Sequence, residues 1–379
     1  IIELLFLGQK MANENEIIRL CALNRIFSNN YVILNKLLEI TKSAEIIFSL
    51  SEKDISNLLP NGKNIISKIV DPATIEWAKK EIENCRKIGG EILTRDDQRY
   101  PYRLREIADS PPILYYKGLC NLNCERSVAV VGTRKCSSYG AIECNQIVDE
   151  LLASNPKPLI ISGLAYGIDI CAHKSALKTQ SANVAVMATG IDSIYPAQHL
   201  TYANEIIKCG AIISDFPLNT LPYKNNFIKR NRLIAALSDA VILIESPYKG
   251  GGINTVRFAN EFDREIYALP GRVTDYNSQG CNSLIDREIA RIFINTKEFK
   301  KRMGWEDVSI SENNLFTKNF NKAQREIVEL LQLNNNLLAD EIASATSLGV
   351  GELSSALLEL ELDGIITKGV DNRFILTKK

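Results

Sequence analysis

The chain has 379 residues, and 45 Lys and Arg are balanced by 45 Asp and Glu, giving a formal net charge of zero. That length holds two or three domains, and neutrality excludes a global field that would gather nucleic acid, so any such binding must come from a local patch. A hydrophobic content of 45% with 24% charge excludes a disordered chain.

The first seven residues are apolar apart from Glu3. The run is too short to span a bilayer, and it lacks a basic leader and a cleavage site. Met11 reads as the biological start, with residues 1–10 as upstream sequence. No other segment is long and apolar enough for a membrane helix. Residues 11–85 read as a helical N-terminal domain. Ile17, Leu20, Cys21, Leu23 and Asn24 form a partial 3.6-residue stripe, and Tyr31 to Ile40 continues it. Pro60-Asn61-Gly62 breaks the pattern and suggests helix, tight turn, helix. Such a turn suits a helix-hairpin-helix or SAM-like unit that offers amides to phosphate; a plain turn in a small bundle is the favoured reading.

Residues 86–305 read as a Rossmann-like α/β domain with a mostly parallel sheet. Apolar runs at Ile113–Tyr116, Val128–Val131, Leu159–Ile161, Val184–Ala188, Ala211–Ile213, Val241–Ile244 and Ile266–Leu269 alternate with helical patterns. Runs without polar alternation suit strands buried on both faces. Residues 306–320 are polar and read as a linker. Residues 321–379 carry three helical patterns and a hairpin with an Asp371-Asn372 turn, a winged-helix arrangement. Its third helix, beginning at Glu352, is acidic, which favours protein docking or a structural role over reading duplex DNA.

Four glycine-bearing turns follow these strands. Val131 leads into Gly132-Thr133-Arg134-Lys135-Cys136-Ser137 and a helix. A strand, a glycine turn and a helix N-terminus make an anion site, and Arg134 adds a fork for phosphate. The alternative is that Gly132 only permits a tight turn and Arg134 is a solvated base. Neither a Walker A motif nor G-x-G-x-x-G is present. The other turns are Ser162-Gly163 to Asp169, Thr189-Gly190-Ile-Asp192, and Ser246-Pro-Tyr-Lys249-Gly250-Gly251-Gly252-Ile-Asn254. Glycines let backbone approach phosphate closely. Together the turns predict an extended phosphate-lined groove on one rim of the sheet.

Between Phe216 and Leu237 the chain carries Lys224, Lys229, Arg230 and Arg232 and no acids, with Phe227 among them. Bases interleaved with an aromatic fit a phosphate strand with an unstacked base. The run Leu233-Ile-Ala-Ala-Leu predicts a helix with the cations on its first turn, against the dipole, which favours an anionic ligand. Phe227 sits in a polar setting that suits a loop aromatic presented to bases, with a place in the core as the equal alternative. The only histidines, His173 and His199, lack a G-x-S-x-G elbow and are assigned structural roles; no catalytic residue is expected. Asp169, Asp192 and Asp215 are expected to bond turn backbone. The nine cysteines have no C-x-x-C pair, and the closest two, Cys120 and Cys124, have no histidine nearby. They read as reduced cytoplasmic thiols without a metal.

At these residues the chain resembles the DNA-processing protein A family, also called DprA or Smf. The resemblance is carried by Tyr100-Pro101, Pro111-Pro112-Ile-Leu-Tyr, Val-Ala-Val-Val-Gly132-Thr-Arg134, Ser162-Gly-Leu-Ala-Tyr-Gly-Ile-Asp169, Ala172-His173, Ile194-Tyr-Pro196, Arg230-Asn231-Arg232 with Ala235, Leu237 and Ser238, and Leu269-Pro270-Gly271-Arg272. It implies a homodimer that coats single-stranded DNA, loads the RecA recombinase and protects incoming DNA during natural transformation. It implies no catalysis, no bound dinucleotide and no other cofactor. Carried over by motif, Arg134 holds a phosphate, Lys224 and Phe227 contact phosphate and base, and Lys249 with Gly251 forms the glycine-loop site. The family often has Lys-Ser-Gly-Ser where this chain has Lys249-Gly250-Gly251-Gly252, so two hydroxyl contacts are missing there.

Two other readings compete. Nucleoside-monophosphate phosphoribohydrolases share this sheet type and carry P-G-G-x-G-T-x-x-E, but Phe258 stands where their acid would be, and cleavage needs that carboxylate. A winged-helix regulator of duplex DNA conflicts with the acidic third helix.

Overall fold

Strand runs that lack polar alternation end up buried on both faces, and the central strands of this chain do so in one nine-stranded sheet. The structure is a computed structural model that describes residues 2–28, 30–59, 62–305, 320–333, 337–346, 348–363, 365–369 and 372–376, with side chains from Glu14 onward except at 332 and 333. The chain divides into two compact units, residues 1–307 and 308–379.

The first unit opens with helices α1 (Ile2–Phe27), α2 (Tyr31–Thr41), α3 (Ala44–Ser49), α4 (Glu52–Leu58), α5 (Lys63–Ile69) and α6 (Pro72–Lys87). Side-chain caps start several of them: Ser43 accepts from the Glu45 amide, Ser51 from Asp54, and Asp71 from Ala73, with Pro72 at the first position. Pro60 and Asn61, the expected breaker, lie outside the described residues; α4 and α5 flank them.

The sheet unit continues as β1 (Glu91–Thr94), α7 (Tyr102–Arg105), β2 (Ile113–Gly118), β3 (Ser127–Val131), α8 (Ser138–Leu152), β4 (Leu159–Ser162), α9 (Ile168–Lys178), β5 (Asn183–Val186), α10 (Leu200–Cys209), β6 (Ala211–Ser214), α11 (Lys224–Ala236), β7 (Ala240–Leu243), α12 (Gly251–Glu261), β8 (Glu265–Ala268), α13 (Gln279–Asp286), β9 (Arg291–Ile292) and α14 (Thr296–Arg302). Strand order is β1-β2-β6-β5-β4-β3-β7-β8-β9. The sequence reading missed β1 and β9. From β6 to β9 all pairs are parallel, while β2 pairs antiparallel with β6 and β1 antiparallel with β2.

Alternate strand residues bury the two faces. Ala129, Val131, Ile161, Val241 and Leu243 pack against α11, α12 and α13. Val128, Val130, Ile160, Ala240 and Ile242 pack against α8, α9 and α14. The N-terminal helices share a core with Ile113, Tyr115, Ala185, Ile212 and α10. Buried hydrogen bonds tie them down: Tyr115 Oη donates to Glu81 Oε1 at 3.0 Å, the Leu218 amide donates to the same oxygen at 2.7 Å, and Asn24 Nδ2 donates to the Asp215 carbonyl at 3.1 Å.

The second unit comprises α15 (Lys322–Leu333), β10 (Leu337–Leu338), α16 (Ala339–Ala345), α17 (Val350–Leu362), β11 (Ile366–Lys368) and β12 (Arg373–Leu376), with strand order β10-β12-β11. Ile327, Leu331, Ile342, Leu353, Leu357, Leu360 and Phe374 form its own core. The acids Glu352, Glu359 and Glu361 on α17 are exposed. The linker residues 306–319 and Asp371 of the expected hairpin turn lie outside the described residues.

Candidate nucleic-acid interface

Successive parallel strands build to opposite sides of β3: β4 lies on one side and β7 on the other. Ligands on such sheets bind beyond the carboxyl ends of the strands at this reversal. A cleft of about 980 Å³ opens there, lined by the turn after β3, the turn after β7 and the first turns of α11 and α12. Both helices start without a side-chain cap, at Tyr223 before Lys224 and at Gly250 before Gly251. Uncapped helix starts carry free amides and the positive end of the dipole.

Ten of the residues singled out in the sequence meet in this cleft: Gly132, Thr133, Arg134, Lys224, Phe227, Arg230, Lys249, Gly251, Gly252 and Asn254. Arg134, Lys224 and Lys249 are exposed cations from three separate elements. The Arg134 guanidinium sits 4.7 Å above the centre of the Phe227 ring, a cation–π contact. Tyr195 meets the same ring edge-on, with centroids 5.5 Å apart. The result is a half-exposed aromatic wall beneath a cation.

Four others lie elsewhere. Ser137 caps α8, accepting from the Gly140 amide at 3.1 Å, and its hydroxyl donates to Glu245 Oε1 at 2.5 Å. Gly163 is buried under the Arg230 guanidinium, which leaves no room for a side chain there. Lys229 turns toward the N-terminal helices, 3.5 Å from the Ser28 carbonyl. Arg232 is 4% exposed and pairs with Asp215 and Asp109 while donating to the Asp109 carbonyl at 3.0 Å. Burial opposes its charge, but the buried Asp215 and the partly buried Asp109 outweigh it, and its pKa is raised.

The helix carrying these cations starts at Lys224, earlier than the sequence suggests. Arg230 and Arg232 therefore fall beyond its first turn, and Phe227 sits on the helix rather than a loop. Arg230 is 3% exposed and donates to the Val186 carbonyl at 2.8 Å. Its Nε has no partner among the described residues. Burial pushes its pKa down to about 10, with Asp169 opposing and Arg134 adding to the fall. Burial likewise raises the Asp169 pKa against the pull of Arg230. Arg230 is thus a desolvated charge in the cleft floor.

The anion site expected at the start of α8 is already taken. The buried Glu245 accepts the Ser137 amide at 2.8 Å through its carboxylate, and its backbone carbonyl accepts the Thr133 amide at 2.8 Å. A carboxylate at a helix N-terminus satisfies the same amides a phosphate would use. Arg134 therefore contributes its side chain, and the open helix starts belong to α11 and α12. Gly167 packs against the turn after β3 with φ +75, and a side chain there would strike the Thr133 carbonyl.

Of the remaining candidates, Asp169 accepts the Gly163 amide at 3.2 Å and Asp192 accepts the Asn219 amide at 2.9 Å, both turn bonds, whereas Asp215 pairs with the Arg232 side chain. His173 is buried, and its Nδ1 lies 2.9 Å from Asn183 Oδ1. Phe258 stacks on Phe262 and packs against the core. Among the described residues no cluster of His, Cys, Asp or Glu is arranged to hold a metal, and no helix is long and apolar enough to cross a membrane.

The sequence reading missed Tyr195, Asn231, Tyr276 and Asn277, all of which line the cleft. Asn231 Nδ2 donates to the Gly251 carbonyl at 3.3 Å, joining α11 to α12. Asn277 Nδ2 donates to the Lys135 carbonyl at 2.9 Å, and its own carbonyl accepts the Ser246 amide at 2.6 Å. It thereby bridges the turns after β3 and β7. Tyr195 stood in the quoted Ile194-Tyr-Pro196 segment, a usable signal; Tyr276 and Asn277 carried none.

Known proteins share this fold. The DNA processing protein DprA of Streptococcus pneumoniae is 38% identical over 251 residues, covering 62% of this chain and 88% of that protein. Its X-ray structure superposes with a TM-score of 0.62 at 30% identity, over 73% of this chain and 95% of the other. DNA processing protein A of Helicobacter pylori, whose structure was described for its single-stranded DNA binding mode, gives a TM-score of 0.51 at 29% identity, over 56% of this chain and 95% of the other. The DprA winged helix domain matches residues 321–371. The family described as DNA recombination-mediator protein A matches residues 91–304, and with the sheet, the cleft and these likenesses in agreement, the chain belongs to that family.

Proposed function

We propose that the cleft holds single-stranded DNA and that the protein acts without catalysis, protecting the strand and passing it to the RecA recombinase during recombination or natural transformation. The observation that carries the reading is the convergence of Arg134, Lys224 and Lys249 around the half-exposed ring of Phe227. Three cations from separate elements supply a sequence-independent grip on phosphates. An aromatic wall among them suits an unstacked base, and the same wall offers nothing to a base still paired in a duplex. The uncapped starts of α11 and α12 add backbone donors. The Helicobacter pylori relative supports the choice of ligand. A homodimer and a cytoplasmic location accompany the proposal, as the family resemblance implies.

The direct test is a gel shift with single- and double-stranded probes of equal length, with and without RecA. Retention of the single strand, and faster assembly of RecA on strands already coated by this protein, are the expected results. Equal affinity for the duplex removes the reading.

A further inference from the structure

Tyr166 stands beside the cleft. Its neighbour Ala165 lines the cleft, and Tyr166 itself is 42% exposed. Its hydroxyl donates to Gln198 Oε1 at 2.7 Å. Gln198 lies on the same segment as Tyr195, which lines the cleft against Phe227. The turn after β4 and the segment before α10 are thus tied together at the cleft edge.

Ring contacts link Tyr166 to two further residues. Tyr166 meets the His199 ring edge-on with centroids 5.0 Å apart, and His199 meets Tyr202 at 6.2 Å. The Lys174 ammonium lies 4.8 Å from the centre of the Tyr202 ring. His199 is buried, with Nδ1 2.7 Å from the Leu164 carbonyl, and serves as the fixed post between the two tyrosines. Lys174 is exposed and has no carboxylate partner among the described residues. Acids on the flanking helices are matched elsewhere: Asp149 with Lys178, and Glu205 with Lys208. Tyr166 is thus exposed beside the cleft, and Lys174 is exposed against Tyr202, while His199 is buried between the two tyrosines.

Aromatic faces alternating with cations are the chemistry of sequence-tolerant single-strand binding. We propose that Tyr166, Tyr202 and Lys174 form a second single-strand subsite continuous with the cleft, in which a base stacks on Tyr166 and a phosphate of the emerging strand meets Lys174. The proposal rests on the reading of the cleft as a single-strand site. It extends the track from the turns after β3 and β7 to the turn after β4 and the start of α10.

Fluorescence anisotropy of the full chain with labelled oligo-dT of two lengths tests it, one near the lower end of single-strand site sizes, about 5 nucleotides, and one of about 16. Tyr166→Ala is expected to weaken the long oligomer at least about fivefold and to leave the short one unchanged. Tyr166→Phe keeps the ring and should bind both as wild type does, which separates stacking from the Gln198 hydrogen bond. Lys174→Ala should lower the salt slope for the long oligomer alone. If Tyr166→Ala and Lys174→Ala bind both lengths like wild type while Arg134→Ala weakens both, the extension is wrong and the cleft stands. If Arg134→Ala and Lys224→Ala are also silent, the single-strand reading of the cleft fails and takes the subsite with it. Equal weakening of both lengths by Tyr166→Ala also overturns the subsite, since it would make Tyr166 a support of the cleft itself.

Discussion

The guanidinium of Arg134 rests 4.7 Å above the ring of Phe227, one carried by the turn after β3 and the other by α11. A base entering against this ring must stack beside the guanidinium or displace it, so the two side chains act on one event. Arg134→Ala is expected to weaken oligo-dT binding and to reduce the salt slope by about 1. Phe227→Ala should cost about 1–3 kcal/mol and leave the slope alone. Because the groups touch, the double variant should lose less than the sum of the singles. Titrations across salt concentrations check this; strict additivity would place the two groups on different parts of the strand.

Arg232 offers the opposite case within the same helix. Its guanidinium is buried against Asp215 and Asp109, far from solvent screening. Arg232→Ala leaves those carboxylates uncompensated and should cost about 3–5 kcal/mol of stability. Urea denaturation measures the loss. The salt slope of the folded fraction for oligo-dT should match wild type, and a reduced slope would return Arg232 to the binding surface.

Glu245 organises the turn that presents Arg134. Its carboxylate accepts both the amide and the hydroxyl of Ser137 at the start of α8. Glu245→Ala removes two hydrogen bonds to the start of α8 and should destabilise by about 1–3 kcal/mol. Glu245→Gln keeps an acceptor oxygen and should recover part of that loss. Thermal melts of the two variants order them; equal melting temperatures would show that the carboxylate does not hold the turn.

His173 supplies a pH dependence. Burial lowers its pKa from 6.5 to about 4 in the folded state, with the Asn183 hydrogen bond opposing. Between those values the unfolded chain binds the extra proton, so stability falls as pH drops from 6.5 toward 4 and levels off below. The difference between the two values corresponds to about 3 kcal/mol. His173→Gln removes this titration. Denaturation midpoints measured at pH 7 and pH 5 should therefore fall more for wild type than for the variant. An equal fall in both would mean that His173 gains water and charges in the native state.

Sheet strands and their order of appearance were legible because apolar runs such as Val128–Val131 must be buried on both faces wherever they pair. The edge strands β1 and β9 were not, since Glu91, Arg291 and Ile292 are exposed and carry no buried-strand pattern. Glycine turns pointed to the cleft because tight turns after parallel strands have few solutions. The run of cations near Phe227 was visible, but its division was hidden: composition cannot tell Lys224, in the cleft, from Arg232, paired inside.

Residue chemistry along the chain determined the class of fold and pointed to the rim on which the proposed site lies. Tertiary structure alone decided which cations keep their charge free. Asp215, Asp109 and Glu245 reach their partners through chain crossings that have no local signature, and a charge is silenced only when such a partner arrives and water leaves.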